Sequence, residues 1–400
     1  MIKGRDIIVV GVQPWDIEIG SNCKNIAHEF SKHNRVLYVN PPSNRITILK
    51  EKNKPKVQKR IQISKGLLPA MEMIQENLWN LYPKTINESI NWISFEWLYD
   101  ILNKRNTKFF ANNILEAVEE LGFENYLLFN DSSMFLGMYL KELLTPELYV
   151  YYVRDNLVKE TYWKRHGVRS EPEVIKKADL VVNNSEYYVE YSKQFNSNSF
   201  MVGQGCDTSI FIDADDSIPL ADDLKDMEKP IIGYVGALTS LRLDIGLIEY
   251  IAKEKPNWNI VLVGPEDQSF KKSCLHDLSN VYFFGIKPMD SLPTYIKGFD
   301  VAINPQFVNE ITIGNYPRKI DEYLAMGKPI VATNTRAMQM FADWVYLGDT
   351  KEDYVRLIEK AIKERLMNRL GKIEFAKSHS WENSVKNIYH KMELTLKSLE

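Results

Sequence analysis

The sequence predicts an α/β fold, and three observations carry that prediction. Short β-branched and apolar runs alternate with helix-compatible stretches through the first half. An acidic, proline-containing stretch then interrupts the alternation. A second alternating series follows it. Alternation of this kind argues for parallel sheets covered by helices on both faces. Two such series make two Rossmann-like domains, expected to face each other across a cleft, with C-terminal helices after them.

The first run, Asp6–Val12, reads as a strand. A Gly/Ser/Asn turn at Gly20–Asn22 and a helical stretch to about His33 follow, and Arg35–Val39 completes a βαβ opening. The apolar run near the N-terminus is only seven residues long and has no small-residue cleavage site behind it, so it is not read as a targeting segment. Tyr126–Asn130, Leu148–Val153 and Asp179–Asn183 are further strands. After the break, Pro230–Gly236, Trp258–Gly264, Val281–Gly285, Asp300–Asn304 and Pro329–Thr333 read as strands. Asp244–Lys255, Ser291–Gly298 and Tyr316–Met326 read as helices, and Trp381 opens the last helix. The break itself, Ile212–Glu228, holds seven acids against one lysine and reads as a surface linker. The expected divisions are 1–205, a linker at 206–229, a second domain at 230–378 and a terminal helix at 379–400.

Composition narrows the function classes. The chain has 400 residues, 44% of them hydrophobic, and a net charge of −3, so it is neither disordered in character nor a basic nucleic-acid binder. Its three cysteines, Cys23, Cys206 and Cys274, are far apart. That excludes a disulfide scaffold and a CxxC zinc site, and fits a reducing cytoplasm. No run approaches the roughly 18–20 apolar residues that span a bilayer. The six histidines show no ligand spacing, His166 is expected on a surface loop, and no metal site or Ser/His/Asp set can be argued.

The stretch Lys50–Arg60 is locally different, with six basic residues, one acid and one proline. It reads either as a solvated loop or β-edge, or as a contact with an anionic membrane surface, where each basic residue adds about 1 kcal/mol. Trp79, Trp92 and Trp97 follow it, either as core or as the lining of an acceptor groove.

Open parallel sheets bind ligands beyond the carboxyl ends of their strands. In the second half this selects the loops Gly236–Asp244, Gly264–Gln268, Gly285–Pro288 and Pro305–Lys319. The last of these ends at a helix expected to start near Pro317, since proline suits a first helical turn. Such a helix start presents free N–H groups and a positive dipole end, and Arg318 and Lys319 add formal charge. Glu322, four residues after Arg318, reads either as a surface ion-pair partner or as a carboxylate that accepts hydrogen bonds from ribose hydroxyls. In the first half, Arg154 and Asp155 follow a strand. Asp155 is either an N-cap or a group that orients an acceptor hydroxyl, and Arg154 is either a phosphate contact or an ion-pair partner.

The segment EYLAMGKPIVAT, Glu322–Thr333, resembles the signature of retaining GT-B glycosyltransferases. It is closest to the family-4-like group that includes transferases of teichuronic acid and capsule type. Ile231–Ala252, Asn257–Pro265, Val281–Pro305 and Gly205–Asp207 with Phe211 extend the resemblance over the C-terminal half. The resemblance implies transfer of a sugar from a nucleotide diphosphate sugar, with retention, to a glycan or lipid-linked acceptor in surface polysaccharide biosynthesis. It implies a metal-independent, hexosyltransferase-type enzyme with no cofactor beyond the donor, acting in the cytoplasm or at the inner face of the plasma membrane, with no nucleic-acid partner. Asn315, Tyr316 and Arg318 would sit at the diphosphate, Lys319 and Arg242 would stabilise it as it leaves, and Glu322 would hold the ribose. Gly236, Gly264, Pro265, Gly285 and Ile286 would line the nucleotide, largely through backbone groups, and Asp155 would serve the acceptor. Two positions depart from the family pattern. Gly314 stands where a glutamate is common, with Glu310 the nearest acid on that side, and Ala237 stands where an arginine is common. The departures keep two other readings in view, a non-catalytic binding or scaffold protein and a nucleotide-sugar epimerase.

Overall fold

The computed structural model describes residues 1–17 and 20–399. The chain divides into two compact units, Met1–Gly203 with Trp381–Glu400, and Gln204–Ser380.

The first unit is built on an eight-stranded sheet. Its spatial order is Ser199–Met201, Leu180–Asn183, Leu148–Val153, Leu127–Asp131, Asp6–Gly11, Arg35–Val39, Leu78–Leu81 and Met71–Gln75. All neighbouring pairs are parallel except the last, an antiparallel hairpin at one edge. Ile7, Ile8, Val9 and Val10 in the central strand are all buried, because helices cover both faces. On one face Ile7 and Val9 pack with Phe30, Phe129 and Tyr389. On the other, Ile8 and Val10 pack with Phe110, Ile114 and Tyr149. Tyr389 belongs to the last helix, Trp381–Leu399, which therefore completes the first unit's core rather than standing alone after the second. Asn34 Nδ2 donates to Tyr389 Oη at 2.8 Å and fixes that return.

The second unit carries a six-stranded parallel sheet in the order Val281–Phe283, Asn259–Val263, Ile231–Val235, Val301–Asn304, Ile330–Thr333, Tyr346–Gly348. Helix Ile245–Glu254 packs Ile248 and Ile251 on one face, and Ile296, Phe299 and Tyr323 pack on the other.

Several expectations are corrected. Residues 206–229 are not a solvated linker: Phe211 and Leu224 are buried in the second unit's core beside Ile296 and Phe299. Asp213, fully buried there, is paired with Lys297 Nζ at 2.5 Å and with Arg369 Nη2 at 3.3 Å. The acid count concealed apolar residues spaced between the charges. His166 is not on a surface loop. It is buried in helix Thr161–Lys177 and stacks on Tyr99 with ring centroids 3.5 Å apart. The basic stretch folds as two helices, Arg45–Glu51 and Pro55–Ser64. Arg60 reaches Asp16 at 2.8 Å and Lys59 reaches Glu72 at 3.1 Å, so part of its charge is neutralised internally. Among the described residues no helix is long and apolar enough to cross a membrane, and no group of three His, Cys, Asp or Glu side chains could hold a metal ion.

Candidate functional site

The strand order of the second unit places a topological switch between Ile231–Val235 and Val301–Asn304. From the first of these the chain proceeds outward to one edge, and from the second to the other. Ligands of open α/β sheets bind outside such a switch, where diverging loops leave a crevice.

The loop leaving Ile231–Val235 is stitched to the loops on either side. Gly236 N donates to Val263 O at 2.9 Å, Leu238 N to Pro265 O at 2.8 Å, and Asp267 N to Leu238 O at 2.9 Å. On the other side Asp244 N donates to Pro305 O, and Phe307 N to Arg242 O, both at 2.9 Å. The approach is close enough to dictate composition. A Cβ on Gly264 would lie 1.9 Å from Gly236 O, and Gly264 has φ +147°, a conformation only glycine adopts freely. Gly236 has φ +144°, and the space a side chain would need is taken by Tyr234 Oη and Lys319 Cε.

Lys319 comes to this point from the far loop. Its Nζ lies 5.1 Å from the centre of the Tyr234 ring, so its stem crosses the end of the strand beside Gly236. Asn315 bridges the same gap. With its amide oriented as its neighbours require, its oxygen accepts from Arg242 Nη1 at 3.2 Å and its nitrogen donates to Ile311 O at 3.2 Å. Gly236, Arg242, Asn315 and Lys319 are thus gathered at the switch. Among the described residues, no carboxylate forms an ion pair within 4 Å of Arg242, Arg318 or Lys319.

The other expected residues are placed differently. The helix is shorter than the sequence suggests, running Lys319–Ala325 with Arg318 already in helical conformation before it. Seven residues make a weak dipole, so any attraction for an anion rests on side-chain charge. Tyr316 turns its hydroxyl inward. It is buried, and its hydroxyl donates to Asp321 Oδ2 at 2.7 Å, with His379 Nδ1 3.2 Å away. Asp321 also lies 2.7 Å from His379 Nδ1, and burial raises its carboxyl pKa against the pull of that histidine. Sequence reading missed this pair because 58 residues separate its members. Glu322 is half-buried on the helix. Burial raises its pKa, opposed by Lys319 and then Arg318. Gly285 and Ile286 follow the edge strand, two strands from Ile231–Val235, and Ile286 is exposed. At the ordinary strand spacing that is about 10 Å away. Ala237 and Glu310 are both exposed.

Lys328, in the signature segment, has a structural role. Its Nζ donates to Lys297 O at 2.7 Å and Phe299 O at 2.9 Å, which ties down the end of helix Leu292–Gly298. Burial, aided by Lys229, lowers its pKa to about 7.

In the first unit Arg154 is an ion-pair partner. Its Nε and Nη2 meet the buried Asp131 carboxylate at 2.8 and 3.3 Å, and its Nη1 meets Asp155 Oδ2 at 2.7 Å. Asp131, which the sequence did not single out, anchors this arrangement. Asp155 caps neither following helix, since Asn156 and Glu160 hold those positions.

Residues 220–377, nearly the whole of the second unit, match the family described as glycosyl transferases group 1. The second unit carries a group 1 glycosyltransferase domain. Every switch-point residue of that glycosyltransferase domain, and Asp321 with it, lies inside the match, and His379 lies just beyond it. Over 222 residues the chain is 30% identical to the "Putative teichuronic acid biosynthesis glycosyltransferase TuaH" of Bacillus subtilis (strain 168), covering 52% of this chain. The match spans 54% of that relative, about half its length. Solved structures resemble the chain throughout. Anabaena HepE in complex with UDP superposes with a TM-score of 0.66 at 13% identity, covering 97% of this chain and 99% of that one. The α,α-trehalose 6-phosphate synthase of Burkholderia multivorans does so with 0.68 at 9%, covering 99% and 100%. At these identities the likeness is one of fold, the two Rossmann-like units of the GT-B class.

Proposed function

We propose that the chain is a metal-independent, hexosyltransferase-type enzyme. It moves a sugar, with retention, from a nucleotide diphosphate sugar to a glycan or lipid-linked acceptor in surface polysaccharide biosynthesis. The observation that carries the reading is the gathering of Lys319 and Arg242 with Asn315 over the glycine-lined switch, with no carboxylate paired to either cation. Cations with no carboxylate in direct ion-pair contact, beside a crevice floored by backbone, suit a ligand that brings its own negative charge.

In this reading Lys319 and Arg242 stabilise the diphosphate as the bond to the anomeric carbon breaks, and Arg318 adds to the field. Charge stabilised where it develops is commonly the largest contribution to catalysis. Glu322 accepts from the ribose hydroxyls. Gly264 and Pro265 lie against the nucleotide, with Gly285 and Ile286 further along toward the base, and Asp155, steadied by Arg154, orients the acceptor hydroxyl. HepE has been crystallised with UDP and with UDP-glucose, which supports UDP as the first nucleotide to try. The resemblance to TuaH supports polysaccharide synthesis as the setting, and the basic helices at 45–60 support work at the inner face of an anionic membrane.

Isothermal titration of UDP into the full chain tests the reading. A hydrogen bond between a charged lysine and a phosphate contributes roughly 1.5–3 kcal/mol, so Lys319→Ala should weaken UDP roughly 10–100-fold. Unchanged affinity in a folded variant removes the phosphate site.

A further inference from the structure

Helix Glu96–Leu121 of the first unit is 26 residues long. Its inner face is spent on the core, where Phe110, Ile114, Ala117 and Val118 pack against the sheet. Its outer face is apolar in part as well. Trp97 is 64% exposed, Ile101 59%, Phe109 42% and Leu115 38%, and all four fall on the half of the helix turned away from the core. A surface helix needs one apolar stripe, and a monomer rarely leaves a second in water.

The charges on that outer half are sorted. Lys104, Arg105 and Lys108 occupy its middle, and Glu116, Glu119 and Glu120 its end, all of them exposed. The order opposes the helix's own macrodipole. Its negative end lies at the C-terminus, so acids in the last turn are unfavourable there. The base that serves this helix end comes from elsewhere: Arg35 donates to Leu121 O at 3.2 Å and to Gly122 O at 3.0 Å. Glu116 pairs with Lys84 at 3.1 Å. Among the described residues, Lys104, Arg105, Lys108, Glu119 and Glu120 form no ion pair within 4 Å. A charge order that weakens its own helix, and that no ion pair in the chain uses, fits a neighbour outside the chain.

We propose that this face is a two-fold interface between two copies of the chain, in which helix Glu96–Leu121 packs antiparallel on itself. The pattern is self-complementary. Arg105, Phe109, Glu116 and Glu120 follow one flank of the outer face, and Lys104, Lys108, Leu115 and Glu119 follow the other with the same spacing, Asn112 lying between the flanks. In an isologous antiparallel pair each flank meets its own copy reversed. A two-fold axis beside Asn112 then sets Arg105 opposite Glu120 of the second copy, and Phe109 opposite the stem of its Glu116. On the other flank it sets Lys104 opposite Glu119 of the second copy, and Lys108 beside its Leu115. The two macrodipoles run opposite ways, so each acidic helix end gains the bases it lacks at home. Trp97 and Ile101 extend the apolar contact at both ends. A membrane surface would accept the apolar residues and the bases but repel the acids of the same face, whereas a second copy accepts all three. The stretch from 104 to 120 spans about 24 Å at 1.5 Å per residue. One helix per copy makes a small interface, so micromolar dissociation is expected.

Sedimentation velocity of the full chain, from about 1 to about 100 μM, tests the interface. The parent should pass reversibly from monomer to dimer with a midpoint of roughly 10 μM. Salt at about 0.5 M should raise that midpoint about fivefold, because exposed ion pairs are screened. Two double variants reverse the charges, Lys104→Glu with Arg105→Glu, and Glu119→Lys with Glu120→Lys. Each sets like charges opposite one another and should weaken self-association roughly tenfold or more. Mixed in equal amounts, the two should dimerise with each other to within about threefold of the parent, since the altered end of each meets its complement on the other. All four side chains are exposed, so the variants fold. The second should melt no lower than the parent, because it relieves the acidic helix end. A parent that stays monomeric at about 100 μM overturns the interface. So does a dimer that either double variant leaves intact, and so does a mixture of the two that remains monomeric.

Discussion

Glu171 offers a stability prediction whose size follows from the structure. It lies in helix Thr161–Lys177, is 2% exposed, and accepts from Tyr151 Oη at 3.2 Å and Tyr191 Oη at 3.1 Å. Burial raises its pKa to about 7, against the lowering effect of those two hydroxyls. In the unfolded chain it titrates near 4.3. The folded protein therefore binds the extra proton between about pH 4 and 7, and stability falls as pH rises through that window. The full penalty is about 3.7 kcal/mol at 1.36 kcal/mol per pKa unit, and about 2.5 kcal/mol of it develops between pH 5 and 8.5. Glu171→Gln keeps the shape and removes the charge. The variant should gain about 2.5 kcal/mol on the parent across that interval, with no slope of its own from this site. Urea unfolding at fixed pH values, followed by tryptophan fluorescence, measures it, because six of the eight tryptophans lie in the first unit with Glu171. A difference between the two proteins that stays flat from pH 5 to 8.5 would refute the argument.

Other perturbations probe the remaining contacts. Gly264→Ala forces a Cβ onto Gly236 O in a backbone conformation alanine avoids, so a loss of about 2–4 kcal/mol in thermal unfolding is expected, together with weaker UDP binding. Arg154→Leu strands the buried Asp131 carboxylate and should cost about 3–5 kcal/mol, while adding Asp131→Asn should recover much of it; no recovery would mean the pair is not what holds the loop. Asp321→Ala removes the acceptor for Tyr316 and His379 and should lower stability by about 2–4 kcal/mol in denaturant titration.

The parts of the fold that announced themselves were those with local signals. The strands Arg35–Val39 and Leu148–Val153 match their apolar runs, and the second sheet follows its alternation of runs and helical stretches closely. Edges were harder. The hairpin Met71–Gln75 with Leu78–Leu81 has one polar-facing strand and a bulge, so no clean period of two marks it. Within the site, the glycines and Lys319 were readable because loops after parallel strands are where such sheets bind. Asp131, and Asp321 with His379, were not. Their meaning comes from partners distant in sequence, which only the fold brings near. The linker reading failed because charge density is visible in a sequence while the burial of single residues such as Phe211 is not.

The homing of helix Trp381–Leu399 onto the first unit has a consequence for how this protein is made. A ribosome emitting residues 1–203 releases a sheet with one hydrophobic face covered only in part, by helix Asn22–Ser31, and the second covering helix emerges only after all of the glycosyltransferase domain. The first unit therefore matures last. Severing the chain near residue 203 gives an unfinished, aggregation-prone lobe, whereas joining residues 381–399 to residues 1–203 through a short artificial loop should restore it as an independent body.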